Sequence, residues 1–322
     1  MTGPPPTRGT AAAVAAVLCL LAASPGVATA QACCAAAGGD EFGLVLPCYD
    51  AVVAAQLSWE RAFGSHDDSG RFSPAGGAEI DDLALTLGGG VRFLDRRLQL
   101  QGSLPLRVQH RSFDEGGAST RIGPGDASAT LRWTAVEDPQ SGIRWDDAQT
   151  LLPFLDLFVG GRAPTGRAPA DTQDALGADI TGEGAWQLLV GTKISKFVTS
   201  THSLSIGATY GHAFAHDSGD VRFSPGASLS LRLAWLHLVD LWWFGGLFTS
   251  LRLSAAARAD GRDVPDSTSR RLRLGGYVGY AFDLPNWEAT LSLAVDPPLD
   301  HTGNNVPFAG TTLALAVQRN FH

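Results

Sequence analysis

Residues 311–321 read Thr-Thr-Leu-Ala-Leu-Ala-Val-Gln-Arg-Asn-Phe, and their period decides how the rest of the chain is read. Leu313, Leu315, Val317 and Phe321 fall on one side of an extended chain. Thr312, Ala314, Ala316, Gln318 and Asn320 fall on the other. Residues two apart share a strand face, so the segment is greasy on one side and polar or small on the other. Residues 97–109 repeat the pattern. Leu98, Leu100, Leu104, Leu106 and Val108 oppose Gln99, Gln101, Ser103, Arg107 and Gln109.

Working outward from these two stretches, the alternation predicts strands near 51–63, 82–93, 97–109, 126–135, 153–163, 185–197, 203–214, 226–237, 242–257, 271–282, 287–296 and 309–321. Each has at least roughly the ~9–11 residues that a tilted strand needs to cross a bilayer. A soluble sandwich would turn the apolar face toward a core. A closed barrel would turn it toward lipid and leave no open edge. Connection lengths separate the two. Links near 94–96, 198–202, 238–241 and 283–286 are short, whereas those near 64–81, 110–125, 164–184, 215–225, 258–270 and 297–308 are long and rich in Gly, Asp, Ser and Pro. Tight turns alternating with long loops are the habit of outer-membrane barrels. The expectation is therefore an all-β, transmembrane antiparallel β-barrel of about twelve strands, both termini periplasmic. The link at 136–150 breaks the rule, being long where a periplasmic turn belongs.

Aromatic residues give an independent check. Phe93, Trp133, Trp235, Trp242, Phe282, Trp287 and Phe321 fall at one set of strand ends. Trp59, Phe63, Trp186, Tyr210 and Phe214 fall at the other, as two interfacial belts would. Residues 231–251 are the most apolar stretch after the N-terminus. They contain Arg232, His237, Asp240 and Gly245-Gly246, and so read as two strands with a turn rather than a membrane helix. Composition agrees: mean hydropathy is +0.04 with no long apolar run, and the net charge of -8 argues against a nucleic-acid partner.

The N-terminus reads as a secretion signal over residues 1–30. Arg8 supplies the positive region, residues 11–23 the apolar core, and Ala28-Thr29-Ala30 the cleavage site before Gln31. Residues 31–49 form a segment holding Cys33, Cys34 and Cys48, and residues 50–322 form the barrel. In an oxidising compartment Cys48 can bridge to either of the adjacent pair, leaving an odd thiol. The spacing fits no zinc site. Sequence leaves open whether this segment enters the barrel or stays in the periplasm.

Two short motifs extend this reading. Arg162-Ala163-Pro164-Thr165-Gly166 ends one strand, and Thr181-Gly182-Glu183-Gly184-Ala185-Trp186 follows a polar loop, with Ser195-Lys196 closing the next strand. Gly123-Pro124-Gly125-Asp126 opens the fourth strand. Over residues 50–322 the chain resembles a family of bacterial outer-membrane barrels associated with the meta-pathway of phenol degradation, often called transporters. The resemblance implies passage of small compounds, hydrophobic or aromatic ones among them. The cysteine segment and the 136–150 link lie outside the pattern.

Charged residues on the polar parity mark the candidate lumen. Those expected to line it are Arg107, Arg132, Asp156, Arg162, Lys193, Arg232, Arg252 and Arg273. Arg92, Arg258, Glu60, Asp82, Asp126, Glu288 and Asp296 are further candidates. They either line a water-filled path whose field selects solutes, or brace a sealed wall as ion pairs. The rival from another class is an outer-membrane phospholipase. His110-Arg111-Ser112 weakly resembles its His-x-Ser pair, but the next strand has no asparagine to orient the histidine. No catalytic, metal or cofactor site is expected. The expected partners are outer-membrane lipid, lipopolysaccharide, a small solute, and the barrel-assembly machinery through the strand ending at Phe321.

Overall fold

The computed structural model describes residues 43–45, 49–114, 117–138, 142–218, 221–240, 242–265, 267–282, 286–300, 305–306 and 308–322. The signal segment and all three candidate disulfide cysteines lie outside the described residues.

Among the described residues, twelve long antiparallel strands build the wall. They are β1 (Ala51–His66), β2 (Glu79–Phe93), β3 (Leu98–Phe113), β4 (Ala127–Val136), β5 (Phe154–Ala163), β6 (Gln187–Phe197), β7 (His202–Ala213), β8 (Ser228–Leu238), β9 (Trp243–Ser254), β10 (Ser269–Ala281), β11 (Trp287–Val295) and β12 (Ala309–Phe321). Each pairs with its sequence neighbour, and β1 pairs with β12 from Ala51 opposite Phe321 to Gly64 opposite Ala309. That last pairing closes the sheet, so no wall strand offers an open edge to lipid.

The faces are sorted as the alternation demands. Leu104 and Leu106 of β3 are 52% and 43% exposed, and Leu313 and Leu315 of β12 are 41% and 47% exposed. Gln99 and Gln109, on the other face of β3, are buried. A water-soluble fold would reverse this arrangement. It is stable where hydrocarbon bathes the outside, because apolar side chains there leave no water to disorder and charges are costly. Residues 231–251 form β8, a turn and β9, with Leu229, Leu231, Leu233, Trp235 and Leu247 outward.

The long loops carry structure that the alternation did not predict. Gly117–Pro124 turns back along the far half of β3, so the wall there is a hairpin extension rather than a plain loop. His216–Ser218, Val221–Ser224, Arg258–Ala259 and Arg262–Asp263 make a separate small sheet above the mouth. Its last turn, Asp260-Gly261, has φ of 49° and 77°, the left-handed pair that Asp-Gly adopts in a two-residue hairpin. Arg258 is therefore not a wall residue: it pairs with Asp263 at 2.9 Å in this exposed sheet. The wall gains Arg111 instead, because β3 runs further toward the loops than the apolar pattern does, and Arg271 joins Arg273 on the inner parity of β10.

Candidate functional site

The lumen has two differently built halves. One lies at the rim where the first and last strands begin and end, hereafter the terminal rim. The other lies at the rim of the long loops, the loop rim.

At the terminal rim, Phe197, Leu236, Leu238, Phe244 and Tyr277 form a buried apolar cluster, with Phe154 and Phe248 packed against it. Three rings lie flat on the wall over a glycine of the next strand. A Cβ on Gly191 would sit 2.2 Å from Phe158, one on Gly275 2.3 Å from Phe248, and one on Gly279 1.9 Å from Phe244. Glycine is needed at those points so that the ring can cover the backbone instead of crossing the bore. Opposite this cluster, residues 43–45 lie against the inner wall. Leu44 and Val45 are buried. A Cβ on Gly90 would meet Gly43 O at 2.8 Å, and the Gln99 amide, with its O and N exchanged, bonds the backbone of Val45 at 2.9 and 3.2 Å. The end of the cysteine segment thus enters the barrel, a question the sequence left open. One charged pair sits in this half, Arg132 on Asp156 at 3.2 Å, with the guanidinium 5.2 Å from the Phe158 ring.

At the loop rim the wall is ionic. Asp296 is fully buried, accepts from Arg271 at 2.7 Å and the Gly310 N–H at 2.8 Å, and forms an ion pair with Arg273 at 3.3 Å. Glu60 shares both arginines, at 2.5 and 3.3 Å. Arg107 binds Asp82 and also donates to Thr181 O at 3.5 Å, which draws the 164–186 loop inward. Asp126 anchors the same loop by accepting from the N–H groups of Gly166 at 3.0 Å and Glu183 at 2.8 Å. The glycine–aspartate start of the fourth strand is thereby explained as a loop clamp. Glu183 then faces Arg162 at 3.7 Å and Arg252 at 3.6 Å across the mouth. Within the loop, the Thr172 hydroxyl, the Gln173 N–H and Arg167 hold the Asp179 carboxyl well below its usual range. Ser119, the Leu176 N–H and Arg121 do the same, less strongly, for Asp174.

Between the halves runs a row of cations. Strand register places Lys193, Gly207, Arg232, Ser250 and Arg273 directly side by side across β6 to β10. The three cations occupy alternate strands, so their backbones stand about 10 Å apart. Carboxylates flank the row at both ends: Asp156 is the register partner of Lys193, and Glu60 and Asp296 pair with Arg273. Arg232 lies 4.5 Å over the Phe248 ring. A cavity of about 250 Å³ opens on the loop side of this row, lined by Glu183, Gln187, Ser228, Arg252, Ser254 and Ser269 among others.

All eight residues expected to line the lumen sit on the inner parity of their strands, and Arg162 and Arg252 meet at one carboxylate. Arg271, the most heavily paired guanidinium of the wall, was not among the expected lumen residues, although it opens the expected strand 271–282 on the same parity as Arg273. Of the weak lipase pair, His110 Nδ1 bonds the Thr120 hydroxyl at 2.8 Å, on the hairpin extension.

No family model matches the chain, and no curated protein does. Among solved structures, the fold is similar to the COG4313 outer membrane channel from Pseudomonas putida F1, with a TM-score of 0.66 and 17% identity over 89% of this chain and 100% of that one. The translocator domain of autotransporter NalP from Neisseria meningitidis scores 0.45 at 12% identity, over 84% of this chain and 88% of that one. The CymD monoaromatic hydrocarbon channel scores 0.41 at 8% identity, over 85% and 89%. At these identities the likeness is one of architecture: the chain has the fold of an outer-membrane β-barrel.

Proposed function

We propose that this barrel lies in the outer membrane, both termini in the periplasm, and passes small solutes passively between strand-borne charges. The observation that carries the reading is the side-by-side row Lys193, Arg232 and Arg273, with a polar cavity lined by Arg252 further toward the loops, inside a wall whose outside is apolar. Fixed cations lining a narrow path lower the energy of an anion and raise that of a cation. Rings lying against the wall beside guanidinium groups add a surface for a flat solute. The solute class that suits both is a small anion with an aromatic face. The orientation is supported by the placement of the long loops at one rim and the tight turns at the other. Phe321 at the end of β12 is the handle proposed for barrel assembly.

A sealed barrel is the second reading. The apolar cluster and residues 43–45 favour it, since together they occupy the terminal half of the lumen. Planar-bilayer recording of the folded chain separates the two. Discrete conductance steps with an anion-favouring reversal potential, shifted toward cations in the Arg162→Ala, Arg232→Ala, Arg252→Ala triple variant, support the channel. A folded, inserted protein that carries no current defeats it.

A further inference from the structure

The long link after β4 has no counterpart among the tight turns of the terminal rim, and the barrel does not need it for closure. It is nonetheless built. Asp138, its side chain without exposure, binds Lys196 Nζ at 2.7 Å and accepts from the Phe197 N–H at 2.8 Å, in the place that β5 has vacated. Lys196 stands on the outward parity of β6 with Leu188, Val190 and Ile194, so the link neutralises a charge that would otherwise point toward acyl chains at the rim. The Ile143 N–H donates to Val198 O at 3.1 Å. Thr150 is buried and donates to both Arg144 O and Asp147 O while accepting from the Arg144 N–H, and Asp147 caps the short 3₁₀ turn Ala148–Leu151.

This bracing holds apolar side chains out. Trp145 is 87% exposed, and Leu151 and Leu152 are 44% and 48% exposed. Leu152 runs directly into β5, whose Leu157 is exposed, and Ile143 is bonded to Val198, itself exposed at the end of the strand that carries Ile194. A tryptophan has an apolar body and a polar N–H, and its favoured surroundings are the headgroup level of a bilayer.

We propose that residues 143–152 form a foot that lies in the membrane interface beside the terminal rim, with Trp145, Leu151 and Leu152 inserted among phospholipid headgroups and the first acyl carbons. The occupant is lipid rather than a periplasmic protein because the link that carries these side chains is bonded to the exposed end of β6 and neutralises an outward-parity lysine there. The proposal rests on the membrane reading of the barrel, and its test keeps the two apart.

The full chain is folded into phosphatidylcholine vesicles, either plain or brominated near the glycerol end of the acyl chains. Wild type is compared with Trp145→Phe, and the difference spectrum isolates Trp145. Its emission is expected to fall about twofold or more in the brominated vesicles, as for an interfacial ring. If the other tryptophans are quenched but the Trp145 difference is unchanged, and aqueous iodide quenches it instead, the foot stands in water and the proposal is overturned. If no tryptophan is quenched by brominated lipid, the membrane reading itself falls and the foot with it.

Discussion

The two halves of the lumen solve the same problem with opposite chemistry. Each must fill or line the inside of a wall whose outside is apolar. At the terminal rim, Phe197, Leu236, Leu238, Phe244 and Tyr277 pack as a small core, and rings lie flat on glycines. At the loop rim, Arg271, Arg273, Glu60 and Asp296 pack as a charged cluster, and the inturned loop is held by Asp126 and Arg107. The difference teaches where selectivity can arise. An apolar core excludes water and has no sign, whereas fixed charges near a cavity distinguish anion from cation.

The contrast can be broken most severely at Asp296. Asp296→Ala removes the buried carboxylate and leaves the half-buried Arg271 and Arg273 with only Glu60 between them. Removing one partner of a buried pair costs about 3–5 kcal/mol, so a large drop in the urea midpoint of the refolded barrel is expected. Glu183→Ala, at the half-exposed mouth, should cost at most about 1 kcal/mol and leave that midpoint nearly in place. Equal losses at the two sites would show that the loop half is not organised around the buried cluster.

The apolar half is probed by Phe244→Ala. It removes a buried ring and uncovers Gly279, with an expected loss of about 3 kcal/mol by the same denaturation measurement. A loss below about 1 kcal/mol would mean that the cluster is loosely packed and easily refilled.

A smaller change sharpens the comparison without touching either cluster. Gly90→Val places a side chain where residues 43–45 now lie, since even a Cβ there would meet Gly43 O at 2.8 Å. Overpacking of this kind costs about 1–3 kcal/mol, and displacing the segment should relieve it. Single-channel conductance should then rise while ion selectivity, set by the other half, stays the same. Unchanged conductance with a changed selectivity would assign those roles the other way round.

The smallest expected effect is that of mild acid. Asp179 and Asp174 have carboxyls held below their ordinary value of 3.8, Asp179 by hydrogen bonds within the loop and Asp174 chiefly by Ser119 on the adjoining hairpin extension. A depressed carboxyl contributes stability that is present above its unfolded value and is lost only as pH falls through the folded one. The loop should therefore stay clamped between about pH 7 and pH 5, with protease sensitivity of residues 164–186 constant over that range. Release of the loop near pH 5 would contradict this account of the clamp.

Much of the fold was legible because a barrel writes its two faces into every strand. All twelve wall strands were expected within about three residues at either end, apart from the far end of β3. The aromatic ends of the strands gave the rims in the same way. What stayed hidden has a physical reason. Gly117–Pro124 carries Arg121 and Ile122 on no clear alternation, so its pairing to β3 comes from the partner strand rather than from its own sequence. Arg111 was missed because β3 outruns its apolar face near the loop rim, whereas Arg271 stood at the edge of its expected strand with its partners Glu60 and Asp296 on distant parts of the chain. Arg258 was misplaced because a two-residue strand in a loop sheet shows no period at all. The entry of residues 43–45 could not be read either. Its cause is the small-residue run Gly88-Gly89-Gly90 and the Gln99 amide, a fit of surfaces and not a pattern along the chain.

The central claim is that the outside of the cylinder dissolves in hydrocarbon while its charges stay within. Nitroxide scanning of β3 from Leu98 to Gln109, in phospholipid vesicles, tests it most directly. Collisions with oxygen should peak at Leu100, Leu104 and Leu106, and collisions with a water-soluble nickel reagent at Gln101, Ser103 and Arg107. The reverse phase, or no alternation with residue number, would contradict the account.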